Sequence, residues 1–258
     1  MKVLITFALE NEFAPWRSMH KFREEALGTA NVSVAEIGGA EVAVLITGAG
    51  PRAAGVSASK IIWGESDTLS CCISSGLAGA LRPEYAIGQV LAARSIRSES
   101  PHGEVPSQEL DSSPALVSFA AESGATVVDR FLTADRVVSR ADEKKHLGKI
   151  ADAVEMESFE VVLESLAFGV PVVAIRAISD GVDEDLPLDM NRIFADDGQV
   201  SIPRVLGQVV RHPESIPSLV RLGQQSKKAA ESLAQFLDRY IATIAASTHP
   251  IEAKAAAK

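Results

Sequence analysis

Apolar residues in this chain gather in short unbroken runs rather than in alternating or heptad patterns. Lys2-Val-Leu-Ile-Thr-Phe-Ala8, Glu41-Val-Ala-Val-Leu-Ile-Thr47, Ser70-Cys-Cys-Ile-Ser74, Gly88-Gln-Val-Leu-Ala-Ala93 and Val170-Pro-Val-Val-Ala-Ile-Arg176 lack a polar face. That is the pattern of strands covered on both sides. Several lead through small or glycine-containing segments into helix-like stretches, as from Gly48 to Gly55 toward Trp63, and from Val154 to Glu160 on to Phe168. Strand, turn, helix, strand is the rhythm of an α/β sheet, which keeps its ligands at the carboxyl ends of the strands.

Two stretches interrupt this rhythm. Ser95 to Ser113, with Pro101 and Pro106, reads as an exposed loop, and Leu186 to Ser201, with Pro187 and Asp196-Asp-Gly198, reads as another. Beyond Pro217 the period changes to that of a helix. Ala229, Ala230, Leu233, Phe236, Leu237, Tyr240, Ile241 and Ile244 fall on one face. With no internal repeat and no clear linker, the chain is read as one domain over 1–258. Its parts are a core (1–200), a helical C-terminal extension (201–245) and a frayed tail (246–258).

Composition narrows the classes. The 258 residues are 47% hydrophobic and 23% charged, which excludes disorder and low complexity. The net charge of −9 repels phosphate backbones and argues against nucleic acid as a partner. Cys71 and Cys72 are adjacent, a poor geometry for a bridge, and no Cys/His zinc spacing is present. Structural thiols in a reducing compartment follow. The opening MKVLITFALENEF meets Glu10 and Glu12 too early for a signal peptide or a membrane span. The expectation is a cytoplasmic protein.

Four places carry candidate chemistry. Glu10 and Glu12 follow the first strand directly, where one carboxylate can be aimed into a cleft, or where both can cap the next helix. Ser74-Ser-Gly-Leu-Ala-Gly-Ala80 reads as a small-residue turn whose backbone can approach a ligand, though Gly76 and Gly79 lack the dinucleotide fingerprint. Gly48-Ala-Gly50 is a similar element. Glu155-Met-Glu157 opens a helix-like segment. Its Met can pack a sugar face while a carboxylate accepts from paired hydroxyls, or Met156 can belong to the core beneath an acidic helix start. Arg176-Ala-Ile-Ser-Asp180 follows the last buried run and offers Asp180 as a general acid. The trailing Asp183, Glu184 and Asp185 lack the spaced oxygens and glycine of a calcium loop and read as a solvated loop, so no metal site is assigned.

The order of these elements is similar to that of the nucleoside phosphorylase superfamily. Glu12, the Ser-Gly-Leu-Ala-Gly segment, Val154-Glu-Met-Glu157 and Arg176-Ala-Ile-Ser-Asp180 most resemble its methylthioadenosine/S-adenosylhomocysteine nucleosidase branch, over roughly Met1 to Asp180. Leu186-Pro, Asp197-Gly, Arg211-His-Pro-Glu-Ser-Ile-Pro217 and the following Leu-Val-Arg-Leu resemble the hopanoid-associated phosphorylase-like proteins. Those are thought to release adenine from an adenosyl-substituted hopanoid lipid. The resemblance implies a central mixed, mostly parallel sheet flanked by helices, with a C-terminal helical extension.

It also implies roles. Asp180 would protonate or hydrogen-bond N7 of a purine, with Ser179 orienting its carboxyl group. Glu157 would hold the ribose hydroxyls, Met156 would pack on the sugar, and Glu12 would polarise the attacking water. Gly76, Leu77 and Ala78, in the small-residue segment, would bind the substrate through their backbone. Val137 and Val138 occupy the stretch where the nucleosidases carry an aromatic residue that stacks on the base, a loss of about 1 kcal/mol or more. Ser74 and Leu77 stand where phosphorylases place an arginine and a hydroxyl for phosphate, so hydrolysis is favoured over phosphorolysis. A phosphate-dependent phosphorylase and a non-catalytic nucleoside-binding module are the alternatives. No cofactor is called for. The resemblance implies a homodimer. The C-terminal helical face serves either for packing on the domain or for contact with a membrane or lipid substrate.

Overall fold

The unbroken apolar runs become the middle of one ten-stranded sheet. The computed structural model describes residues 1–99, 107–188 and 215–247. Its strands are β1 (Lys2–Phe7), β2 (Arg23–Leu27), β3 (Ala30–Ile37), β4 (Ala40–Ile46), β5 (Cys71–Ala80), β6 (Val90–Ser98), β7 (Glu109–Asp111), β8 (Thr126–Thr133), β9 (Ala153–Glu155) and β10 (Val172–Asp180). Its helices are α1 (Glu10–Arg17), α2 (Pro51–Glu65), α3 (Pro114–Glu122), α4 (Ala141–Leu147), α5 (Ser158–Ala167) and α6 (Ile216–Ala246).

β4, β1, β5 and β10 lie side by side and parallel, which requires cover on both faces. β3 and β2 extend the sheet antiparallel at one edge. At the other side β10 pairs β6 antiparallel, β6 and β8 and then β9 run parallel, and β9 returns to pair β5. Five strands thus close on themselves beside an open sheet. This mixed architecture, with helices on both faces, is the α/β class expected.

Strand alternation sorts the core into two layers. Val3, Ile5, Phe7 and Cys71 face α1, α3 and α6, whereas Leu4 and Cys72 face α2 and α5. Both thiols are free and buried. Burial pushes Cys71 up and raises Cys72 to about 12, so neither is a nucleophile at neutral pH. Every residue of the predicted C-terminal stripe is buried, and all but Ala230 pack in the first layer. Hydrogen bonds help fix the helix: Trp16 Nε1 donates to Asp238 Oδ1 at 2.6 Å, and the Tyr240 hydroxyl donates to the Leu116 carbonyl at 2.9 Å.

Three expectations need correction. Ser74 to Ala80 is strand rather than turn, because β10 pairs with it through Gly76, Leu77 and Ala78. The Ser95–Ser113 segment is not a continuous loop: β6 runs to Ser98 and pairs β7, with Ser95 opposite Asp111. Residues 100–106 lie outside the described residues, as do 189–214 and 248–258, and with them most of the second expected loop, Asp197-Gly198, Arg211 and most of the tail. Asp180 ends β10 instead of following it.

Leu233 is fully buried between α6 and the sheet. Leu233→Ala is expected to cost about 2–5 kcal/mol of unfolding free energy, read as a lower urea midpoint at unchanged slope. An unshifted midpoint would mean that α6 does not belong to the folding unit.

Candidate active site

A cleft of about 210 Å³ opens at the carboxyl ends of the central strands. It brings together Glu12, Leu77, Ala78, Val137, Val138, Met156, Glu157, Ser179 and Asp180 from segments far apart in the chain. Gly76 is not on its wall.

Glu12 comes from the first turn of α1, immediately after β1. Its side chain folds back so that Oε2 accepts from the amides of Ala8 and Leu9, at 3.0 and 3.2 Å, and Oε1 accepts from the Leu77 amide at 3.2 Å. The carboxylate therefore caps the helix and faces the cleft at once. Burial pushes its pKa up, against the pull of Arg176 and the three amides. Gly76 explains why β5 permits this. It has φ +149°, and a Cβ there would lie 3.3 and 3.4 Å from the Glu12 oxygens. Glu10 turns outward and pairs with Arg17 at 2.6 Å.

Glu157 follows the short strand β9. Its Oε1 accepts from the Gly50 amide at 2.9 Å, and its Oε2 lies 3.7 Å from Arg176 NH2. Arg176 projects from β10 and is only 1% exposed. Its main partner is Glu155, at 2.5 Å. Glu155 also accepts from the Thr133 hydroxyl and from the amides of Glu157 and Ser158, at 3.0 and 2.7 Å. The first acid of Glu-Met-Glu thus anchors the arginine and the second reaches the cleft, with Met156 beside it on the wall. Burial, then the neighbouring Glu155, raises Glu157 to about 8, Arg176 opposing and Glu12 adding to the rise.

Asp180 closes the cleft on the far side. Ser179 Oγ donates to its Oδ1 at 2.7 Å. Its Oδ2 lies 2.5 Å from Nζ of Lys144, a fully buried residue of α4. Gly79 makes room here, because a Cβ on it would approach Oδ2 to 2.9 Å.

Val137 and Val138 form an aliphatic wall, and no aromatic side chain lines the cleft among the described residues. Leu186 and, from α6, Leu222 and Ser226 complete the rim. The trailing acids lie in a solvated loop as expected, with Asp183 and Asp185 exposed and Glu184 half-buried, and each has a partner. Asp183 pairs with Lys145, Glu184 with Arg221, and Asp185 accepts from the Ala141 amide at 2.7 Å. Arg136, on the wall, is paired with Glu143. Among the described residues no group of acids, histidines and cysteines suits a metal ion, and no helix is long and apolar enough to cross a membrane.

Sequence reasoning missed Lys144, Glu155 as a partner, Arg176 as the organising charge, and Leu222 with Ser226. Only Arg176 left a signal: an arginine ending a buried apolar run requires a paired acid.

A sequence profile of the phosphorylase superfamily matches residues 2–211. The chain belongs to that superfamily. Among solved structures it is similar to a 5′-methylthioadenosine/S-adenosylhomocysteine nucleosidase from Helicobacter pylori with butyl-thio-DADMe-Immucillin-A, at 21% identity and TM-score 0.70, covering 93% of this chain and 97% of that one. Native futalosine hydrolase of H. pylori aligns at 21% identity and TM-score 0.71, covering 93% and 97%. A nucleosidase of the first kind from S. pneumoniae, with the transition-state inhibitor MT-ImmA, aligns at 19% and 0.70, covering 95% and 100%. At these identities the likeness is one of fold.

The raised Glu157 makes a stability prediction. Between the ordinary value of 4.5 and about 8 the folded chain holds a proton at this carboxyl that the unfolded chain has released. The contribution of Glu157 is therefore fully present below 4.5 and lost as pH rises through about 8. Glu157→Gln removes that dependence. In urea titrations its stability relative to wild type is expected to improve from acidic to mildly alkaline pH; a constant difference would contradict the raised value.

Proposed function

We propose that the protein hydrolyses the N-glycosidic bond of a 5′-substituted adenosine and releases adenine. The observation that carries this reading is the convergence of Glu12, Glu157 and Asp180 on one cleft whose neighbouring cations are already paired with carboxylates. The nucleosidases and futalosine hydrolase among the similar structures support the same reaction type.

In this mechanism the ribose lies between Glu12 and Glu157. Glu157 holds the sugar hydroxyls, Met156 packs on the sugar, and Val137 and Val138 flank the base, with Leu77 and Ala78 offering backbone contacts. Asp180, steadied by Ser179, gives a proton to N7, so that the pair of the breaking C1′–N9 bond leaves on a neutral base. Positive charge then develops on the sugar near two carboxyl groups fixed in place beforehand, which favours the transition state over the ground state. Water held by Glu12 attacks C1′ and gives its proton to that carboxylate. Phosphate is disfavoured as nucleophile, because a dianion finds no uncommitted guanidinium among the described lining residues. No cofactor enters any step.

The 5′ substituent points toward an apolar rim of Leu186 and Leu222, which suits a thioether or a larger apolar group such as a hopanoid. The stripe of α6 is buried in the core, which leaves lipid contact to its first turns, where Ile216 and Val220 are exposed. A homodimer is supported by exposed Val56, Trp63 and Leu163 on neighbouring α2 and α5 and by Phe168 just past the end of α5, with the Trp63 and Phe168 rings edge to face at 6.4 Å. Free buried thiols fit a cytoplasmic setting.

Methylthioadenosine incubated with and without phosphate tests the reaction. Adenine and free methylthioribose are expected in equal yield in both. A sugar 1-phosphate would make the protein a phosphorylase, and tight binding without turnover would make it a binding module. Asp180→Asn is expected to slow adenine release by about 100-fold or more; normal turnover would remove its assignment as the acid.

A further inference from the structure

Lys144 has no part in the mechanism above, yet its surroundings are built around it. The side chain is fully buried, and Nζ lies 2.5 Å from Asp180 Oδ2, 3.1 Å from the Gly181 carbonyl and 3.0 Å from the Glu184 carbonyl. All three ammonium protons have acceptors, and only one acceptor belongs to a residue of the cleft. A buried ion pair is a weak source of stability, because desolvation offsets the attraction. Placing one directly behind the residue assigned as the acid points to chemistry.

The other carboxyl oxygen is arranged to exchange a proton. The Ser179 hydroxyl is 2.7 Å from Asp180 Oδ1 and 3.2 Å from the Ala78 carbonyl. With a single hydrogen it donates to one of these at a time. When it points at Oδ1, that oxygen is an acceptor. When it turns to Ala78, its lone pairs face Oδ1, which is then free to carry a proton. Asp180 can therefore change protonation state without leaving a buried polar group unpartnered.

We propose that Lys144 is the proton reserve for base departure, acting through Asp180 rather than on the substrate. This rests on the nucleosidase reading. As the C1′–N9 bond breaks and its electron pair moves onto the purine, Asp180 gives a proton to N7 and Lys144 passes one from Nζ to Oδ2. The carboxyl group is the same before and after, and Lys144 is left as the neutral amine. The attacking water delivers hydroxide to C1′ and its proton to Glu12, and exchange with solvent returns a proton to Lys144 after the products leave.

Two substrates distinguish a proton reserve from a structural strut. Adenine leaves methylthioadenosine with a proton, whereas 4-nitrophenyl β-D-ribofuranoside expels a phenolate that needs none. Lys144→Gln keeps an amide donor for Oδ2 but has no proton to give. It is expected to lower the ratio of adenine release to nitrophenolate release by about 100-fold or more, in kcat rather than KM. Equal loss on both substrates would make Lys144 a strut and overturn the proposal, as would an unchanged ratio. Should that variant fail to fold, Lys144→Met combined with Asp180→Asn leaves no unpaired carboxylate. The double variant is expected to release adenine as fast as Asp180→Asn alone, and a further loss would show that Lys144 does not act through Asp180. Failure of the wild type to release adenine from methylthioadenosine would overturn the nucleosidase reading and this inference with it.

Discussion

Arg176 puts a positive charge inside the sheet, and Glu155, Glu157 and Glu12 all feel it. A guanidinium that is 1% exposed is tolerable only when paired, and Glu155 supplies the pairing through a 2.5 Å contact and three further hydrogen bonds of its own. That contact exhausts most of what one cation can offer. Glu157 receives a looser share at 3.7 Å, and Glu12 a longer-range one. Three buried carboxyl groups around one guanidinium cannot all be charged at low cost, so burial raises both Glu12 and Glu157. The unmet demand is for positive charge in the space they border. In the proposed reaction an oxocarbenium-like ribose would supply it, and more at the transition state than in the ground state.

The small residues of β5 serve this arrangement in a way their composition disguises. Read along the chain, Ser-Gly-Leu-Ala-Gly suggests a turn with free amides for an anion. The segment is instead strand, in register with β10 from Gly76 to Gly79, and the Leu77 amide goes to Glu12. Gly76 and Gly79 are small because carboxyl groups from two other elements press against them, at 3.3 and 2.9 Å from where a Cβ would be. The strand is thinned so that acids can be held over it.

The same contrast separates what the sequence made legible from what it did not. Every residue of the C-terminal stripe is buried as its spacing predicts, because a helix packed on a sheet leaves a 3.6-residue signature. The central parallel strands β1, β4, β5 and β10 were legible as unbroken apolar runs. β2 was not, since Arg23-Glu-Glu-Ala-Leu27 is an exposed edge held by its hairpin with β3. Glu12, Glu157 and Asp180 were identified as a set through their order along the chain. Lys144 had no local mark. Within Ala-Asp-Glu-Lys-Lys-His-Leu it looks like any solvated lysine, and it is buried only because the segment after β10 folds over it and offers two carbonyls.

That segment also ties the C-terminal helix to the site. The Glu184 carbonyl accepts from Lys144, while its carboxylate is held by Arg221 and Gln225 of α6. Next to them on the same helix, Leu222 and Ser226 form part of the cleft rim. The cleft rim and the lysine behind Asp180 therefore share one short stretch of backbone. A substituent that displaced the first turns of α6 would pull on Glu184, and through its carbonyl on Lys144. On the proposed mechanism, substrate fit at the rim and proton supply at the base would be linked mechanically through these contacts.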